Sequence, residues 1–252
     1  RSELWYQYEC YVPLGPLRLV RDLDFKRIAT EEAFVTRDIV RAYRNLLAGK
    51  ASDDLGFNSL LGYYLSNPSE RTRAAAERLE DLGARRIADM DATGTAMQIL
   101  SLTSPGVQIF DAPTAVALAR AANDELAAAI AAHPTRYAGL AAITPQNPSE
   151  AAKELERGVR TLGLKGAIVN SHTHGEYLDD PKFWDIFAAA EALDVPIYLH
   201  PSTPSNAMIK PFMERGLDGA VFGFAVETGL PALRIGVSGA FEMPNISRRL
   251  PC

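Results

Sequence analysis

The sequence predicts an α/β fold of repeated strand–helix units, either a parallel barrel or a doubly wound sheet. Three observations carry this expectation. From about residue 95 onward, short apolar runs alternate with helical patterns. Those runs look apolar on both faces, as strands do when helices cover a parallel sheet. Two of the helical segments open on a cap residue followed by proline, the punctuation expected at the start of a helix.

The elements are read in chain order. Arg27-Ile-Ala-Thr30 is an early strand that stands apart. A long stretch without a strand signal follows, holding a charged helical segment from Ser69 to Leu82. Ala96-Met-Gln-Ile-Leu-Ser-Leu102 reads as a buried strand, with Thr103-Ser-Pro-Gly106 as its loop. Pro113 to Ala132, rich in Ala and Leu, reads as a helix, and Tyr137 to Ile143 as the next strand. Asn147-Pro148-Ser-Glu150 opens a helix with an N-cap, a first-turn proline and a glutamate that can face the cap. Gly163 is expected at its C′ position. Gly166 to Asn170 is a strand. Asp180-Pro181 starts a helix carrying Phe183, Trp184, Ile186 and Phe187, and Val195 to His200 is the fifth strand. Residues 1–26, with Trp5, Tyr6 and Tyr8, follow no clear period and are set apart as an N-terminal extension.

Composition narrows the function. The chain has 252 residues, 47% of them hydrophobic, ample for a sizeable core. A net charge of -5 with 23% charged residues leaves no basic footprint for nucleic acid and no attraction to a membrane surface. No apolar run approaches the roughly 20 residues that span a bilayer. The two cysteines, Cys10 and Cys252, sit near opposite ends, and with no signal peptide the reading is a reducing cytoplasm. A phosphate-binding glycine loop, a dinucleotide fingerprint, a Gly-x-Ser-x-Gly elbow and a Cys–His nucleophile pair are all missing.

Polar residues that could carry chemistry fall just past the C-terminal ends of strands, where a parallel barrel builds its active site. Glu31 and Glu32 follow the first strand, Ser171-His172-Thr-His174 the fourth, and His200-Pro201 the fifth. A carboxylate and imidazoles converging from different strands suit Zn²⁺ or Mn²⁺, with oxygen-rich sets favouring Mn²⁺. The plainer reading is that each polar residue merely ends a strand. His133 precedes Pro134 at a helix end, where a cation is favourable. Asp89-Met-Asp91 precedes a strand, on the stability face of a barrel.

Several phrases, in order, resemble the amidohydrolase-related decarboxylases, the group of aminocarboxymuconate semialdehyde, γ-resorcylate and 5-carboxyvanillate decarboxylases. They are Arg27-Ile-Ala-Thr-Glu-Glu-Ala-Phe34, Asn67-Pro-Ser-Glu-Arg71, Arg86-Ile-Ala-Asp-Met-Asp-Ala-Thr-Gly94, Leu102-Thr-Ser-Pro-Gly-Val107, Asn170-Ser-His-Thr173, Tyr198-Leu-His-Pro201 and Phe222-Gly-Phe-Ala-Val-Glu-Thr-Gly229. The Thr-Glu-Glu-Ala-Phe opening is most similar to the carboxyvanillate branch. The resemblance covers about residues 27–246 and implies a (β/α)8 TIM barrel of the metal-dependent hydrolase superfamily, with about the first five to six βα units present. It also implies an insertion at about 35–95.

The resemblance implies metal ligands at Glu31 and His200. Ala33 stands where many relatives carry a second histidine, so the implied cofactor is a divalent metal, Mn²⁺ favoured and Zn²⁺ the alternative. It implies substrate-binding roles for Tyr64, Arg71, His172 and Phe224, a small aromatic carboxylic acid as substrate, and a homo-oligomer in full-length members. An arginine suits a carboxylate because its planar fork can bind both oxygens. The implied reaction is non-oxidative decarboxylation, in which a proton replaces the carboxylate on the ring.

The family continues beyond Phe241-Glu-Met-Pro-Asn-Ile246 into a strand ending in Gly-His-x-Gly-Glu and later supplies a metal-binding aspartate. This chain ends instead in Ser-Arg-Arg-Leu-Pro-Cys252, so a C-terminally truncated barrel with impaired turnover is the expectation, and no catalytic residue is assigned. Residues 247–252 are read as a divergent tail. Two other readings stand beside this one: a metal-dependent hydrolase, disfavoured by Glu31-Glu-Ala33 where a His-x-His is usual, and a non-catalytic barrel fragment.

Overall fold

The computed structural model describes residues 25–242 except 51 and 68. The N-terminal extension up to residue 24, the tail and both cysteines lie outside the described residues. Six parallel strand segments are formed: β1 (Ile28–Phe34), β2 (Met97–Leu102), β3 (Tyr137–Gly139), β4 (Ala141–Ala142), β5 (Ala167–Asn170) and β6 (Ile197–His200). They pair strictly in chain order, β1-β2-β3 and β4-β5-β6.

The break between β3 and β4 is a change of partner within one strand position. Leu140 N–H still donates to Leu100 O of β2 at 2.9 Å, while Ala141 N–H turns to Gly166 O at 2.8 Å. The predicted strand from Tyr137 to Ile143 therefore bridges both sheets. Five strand positions run side by side as one arc, with helices following them: α5 (Ala112–Ala132), α6 (Pro148–Arg160) and α7 (Trp184–Leu193). That is the sequential parallel order of a (β/α) barrel wall.

Packing on the outer face explains the small residues there. A Cβ at Gly139 would lie 2.7 Å from Leu126 of α5, so only glycine lets the helix seat this closely. Leu126, Leu155, Leu164, Ile186 and Ile197 join one core that is essentially dry. Side-chain caps start the helices: Asp111 accepts from Thr114 N–H, and Asn147 accepts from Glu150 N–H. α6 ends at Arg160 with Thr161 as its cap, which moves Gly163 one position beyond the expected C′ site, in a left-handed turn at φ 73°. Asp180-Pro181 starts a 3-10 turn, Pro181–Phe183, that runs into α7.

The stretch between the first two strands holds four helices: α1 (Arg37–Ala48), α2 (Leu55–Ser66), α3 (Glu70–Glu80) and α4 (Ala84–Thr93). α1 is anchored by Tyr43, which stacks on Phe110 at 5.5 Å and donates to Gly106 O at 2.6 Å. α2 lies over the loop that follows β6: Leu55 N–H donates to Asn206 Oδ1 at 2.9 Å, and Ser59 Oγ to Asp218 Oδ2 at 3.0 Å. After β6 come the short α8 (Lys210–Met213) and α9 (Gly223–Val237).

One expectation is corrected. The first strand does not stop at Thr30 but runs to Phe34, and among the described residues it pairs only with β2, leaving one edge without a strand partner. Its open side is partly covered by the insertion. Arg86 of α4 donates to Ala33 O at 2.9 Å, and Val35 N–H donates to Leu79 O at 3.0 Å. Those partners do what a neighbouring strand would do, and they blunt an exposed edge. Asp89 and Asp91 pair with Arg78 at 3.6 Å and Arg136 at 2.8 Å, in keeping with a structural role.

Candidate metal centre

Glu31 lies inside β1, where the pairing with β2 slips by one residue. Ala29 is opposite Gln98 and Glu32 opposite Leu100, so Thr30 and Glu31 together face one residue of β2. Such a bulge re-aims a side chain. Glu32 turns outward, lining a cleft of about 610 Å³ beneath α3 and α4 with Arg86 and Gln98. Glu31 turns to the inner face, where Tyr198 Oη–H donates to Glu31 Oε2 at 2.5 Å.

His200 ends β6 and reaches the same point from the other side of the arc. Its Nε2 lies 3.4 Å from Glu31 Oε1. Its Nδ1 is 2.7 Å from Pro201 O, a carbonyl that can only accept, so Nδ1 carries the hydrogen. With Nδ1 as donor, Nε2 faces a carboxylate oxygen, an arrangement that either a proton on Nε2 or a metal cation between the two atoms satisfies. Atoms each about 2.1 Å from a shared ion stand about 3.0–3.4 Å apart at ordinary coordination angles. The pair therefore fits a divalent metal. Among the described residues no group of three His, Cys, Asp or Glu side chains gathers to hold one.

Nearby groups complete the picture. Asn170, opposite His200 in the pairing of β5 with β6, has a buried Oδ1 without a hydrogen-bond partner. Tyr198 is pushed up to about 12, first by burial and then by its bond to Glu31, so it stays a hydrogen donor. Sequence reading did not single out Tyr198 as a site residue; its spacing two residues before His200 puts both on one face and was the available signal.

His172 is buried 7% exposed, with both ring nitrogens taken by protein: Nε2 meets Thr203 O at 3.0 Å and Nδ1 accepts from Gly175 N–H at 3.2 Å. It ties the loop after β5 to the loop after β6. His174 Nε2 meets Phe110 O at 3.3 Å. Phe224 sits partly buried in the first turn of α9. Tyr64 is half exposed at the end of α2, edge-on to Tyr63. Arg71 is exposed in the first turn of α3. No hydrogen bond or ion pair among the described residues ties Tyr64 or Arg71 to Glu31 or His200. A buried carboxylate on α9, Glu227, was missed by sequence reading altogether.

A sequential parallel strand arc with a carboxylate and an imidazole meeting at its inner face is the wall of a (β/α) barrel, and the chain belongs to the amidohydrolase family, which matches residues 70–243. It is similar to the solved 5-carboxyvanillate decarboxylase of Novosphingobium aromaticivorans, complexed with manganese and 4-hydroxy-3-methoxy-5-nitrobenzoic acid. Identity is 49%, the TM-score is 0.86, and the match covers 89% of this chain and 64% of that one. The 2,6-dihydroxybenzoate decarboxylase from Rhizobium superposes with a TM-score of 0.73 at 32% identity, covering 86% of this chain and 62% of that one. The γ-resorcylate decarboxylase of Polaromonas sp. is 41% identical over 173 residues, 66% of this chain and 53% of that protein. The chain thus spans about half the length of the curated relatives it matches.

Proposed function

We propose that this chain belongs to a metal-dependent, non-oxidative decarboxylase of hydroxylated aromatic acids, working in the cytoplasm. The observation that carries this is the 3.4 Å approach of His200 Nε2 to Glu31 Oε1, with Nδ1 already committed to Pro201 O. Mn²⁺ is the favoured ion: a carboxylate-containing set with few imidazoles suits it, and similar solved enzymes contain manganese.

When bound, the ion supplies positive charge that orients phenolate and carboxylate oxygens and draws electrons from the ring. Glu31 and His200 would hold it, and Tyr198 fixes the Glu31 carboxylate through Oε2, leaving Oε1 available. Arg71 offers its planar fork to the substrate carboxylate, while Tyr64 and Phe224 offer faces to the ring. His172 shapes the pocket by fixing two loops. The reaction adds a proton to the ring carbon bearing the carboxylate. The carbon–carbon bond then breaks, its electrons restore aromaticity, and carbon dioxide leaves with no redox step. None of the described residues is assigned as the proton donor.

The test is calorimetric titration with Mn²⁺, followed by 4-hydroxy-3-methoxy-5-nitrobenzoate, alongside carbon dioxide release from 5-carboxyvanillate and 2,6-dihydroxybenzoate. Manganese-dependent binding of the nitro acid is expected. A folded protein that takes up no Mn²⁺, or binds the acid equally well without it, would refute the reading.

A further inference from the structure

We propose that Glu227 is a positioning residue that clamps the two loops flanking His200 and so holds that side chain in place for the metal; this rests on the function proposed above. Glu227 is 1% exposed. Its hydrogen-bond partners are all neutral: Ser171 Oγ on Oε2, and Tyr177 Oη at 3.0 Å and Ser205 N–H at 3.4 Å on Oε1. A carboxylate buried without a cation is costly, and a residue needed only for packing would be cheaper if apolar. What the charge obtains here is three donors from two separate loops.

Both loops bear on His200. Ser171 directly follows β5, and its N–H donates to His200 O at 2.7 Å while its side chain is held by Glu227. Ser171 has φ 40°, a left-handed conformation that a serine keeps only when its surroundings impose it. On the other side, the backbone runs from His200 through Pro201, the acceptor for its ring, to Ser205 at the clamp. His172 joins the two loops a second time through Thr203 O. Tyr177 is braced beneath the Arg234 guanidinium, 4.8 Å from the ring centre, and Arg234 binds Asp179 through two bonds of 2.9 Å. One buried carboxylate thus joins α9, the β5 loop and the β6 loop around the imidazole.

The test compares Glu227→Ala and Glu227→Gln with the parent in the full chain. Hydrogen exchange of metal-free protein reads the loops, and titration with Mn²⁺ reads the site. For Glu227→Ala, protection is lost over residues 171–178 and 200–206 while β2 and α5 keep theirs, and Mn²⁺ affinity falls about 10–100-fold. Glu227→Gln keeps an acceptor for Tyr177 and Ser205, so it recovers most of the protection and affinity. If Glu227→Ala fails to fold, Ser171→Ala removes the clamp from its other end and is expected to loosen the same segments. Unchanged protection in both loops overturns the clamp, and loosened loops with parental Mn²⁺ affinity overturn its positioning role. If the parent itself takes up no Mn²⁺, the metal reading falls, while hydrogen exchange still decides whether Glu227 clamps the loops.

Discussion

Glu31 Oε1 and His200 Nε2 approach to 3.4 Å although their strands stand at opposite ends of the arc. Bringing them together curls the sheet and leaves a gap suited to a cation. Added Mn²⁺ is therefore expected to raise the unfolding temperature, since a ligand that binds only the folded chain stabilises it by about 2.7 kcal/mol at a hundredfold excess over Kd. Glu31→Gln and His200→Ala each remove one proposed ligand, and the shift should largely vanish in both. Thermal unfolding with and without Mn²⁺ checks this; an undiminished shift in either variant would remove that residue from the site.

Tyr198 supplies a second measurement. Its hydroxyl holds Glu31 Oε2, so Tyr198→Phe frees the carboxylate to rotate. Partners that orient metal ligands typically contribute 10–100-fold to affinity, and about tenfold is expected for this single bond. Manganese titration of Tyr198→Phe reads it, and parental affinity would show that Glu31 is oriented by other means.

Alkaline pH should weaken the fold through Tyr177. Burial first, and the Glu227 carboxylate next to it, push Tyr177 up to about 12, above the roughly 10 of an unfolded tyrosine. The folded state keeps its proton longer. The stabilisation is thus complete below pH of about 10 and is lost as pH rises through about 12. Denaturant midpoints measured across that window should fall less steeply for Tyr177→Phe. Tyr43 and Tyr137, also raised by burial, leave some slope in the variant. Equal slopes for variant and parent would count against Tyr177.

The insertion offers a steric test. A Cβ at Gly56 would lie 2.0 Å from Thr203 Oγ1 and 2.4 Å from its Cβ, so Gly56→Ala must push α2 away from the β6 loop. Overpacking of this kind costs about 1–3 kcal/mol. Urea unfolding measures it, and a variant as stable as the parent would mean that α2 docks more loosely than the contacts indicate.

Much of the scaffold was legible because parallel strands covered on both faces leave unmistakable apolar runs, and caps such as Asn147 and Asp180 mark helix starts. His200 followed from its place at the end of such a run. The insertion was harder. α1 does carry a helical stripe, Ile39, Val40, Tyr43, Leu46 and Leu47, which sequence reading passed over, while α2 is apolar nearly all round and gives no clean period. β1 was cut short because Glu31 and Glu32, one on each face, break the apolar run. Glu227 lay hidden because α9 exposes Leu233 and Val237 while burying an acid, the reverse of the usual pattern.

The slipped pairing in β1 has a last consequence, in the arithmetic of the chain. Twin glutamates occupy neighbouring positions, and strand side chains alternate faces, so only one can look inward. The extra residue at Thr30–Glu31 decides which. A chain shortened by one residue here, with the pairing beyond Ala33 kept, would lose its bulge and its freedom to aim Glu31 at His200. Which glutamate meets His200 is thus a matter of counting: identical chemistry at positions 31 and 32 is sorted into an inward group and an outward group by the parity of the strand.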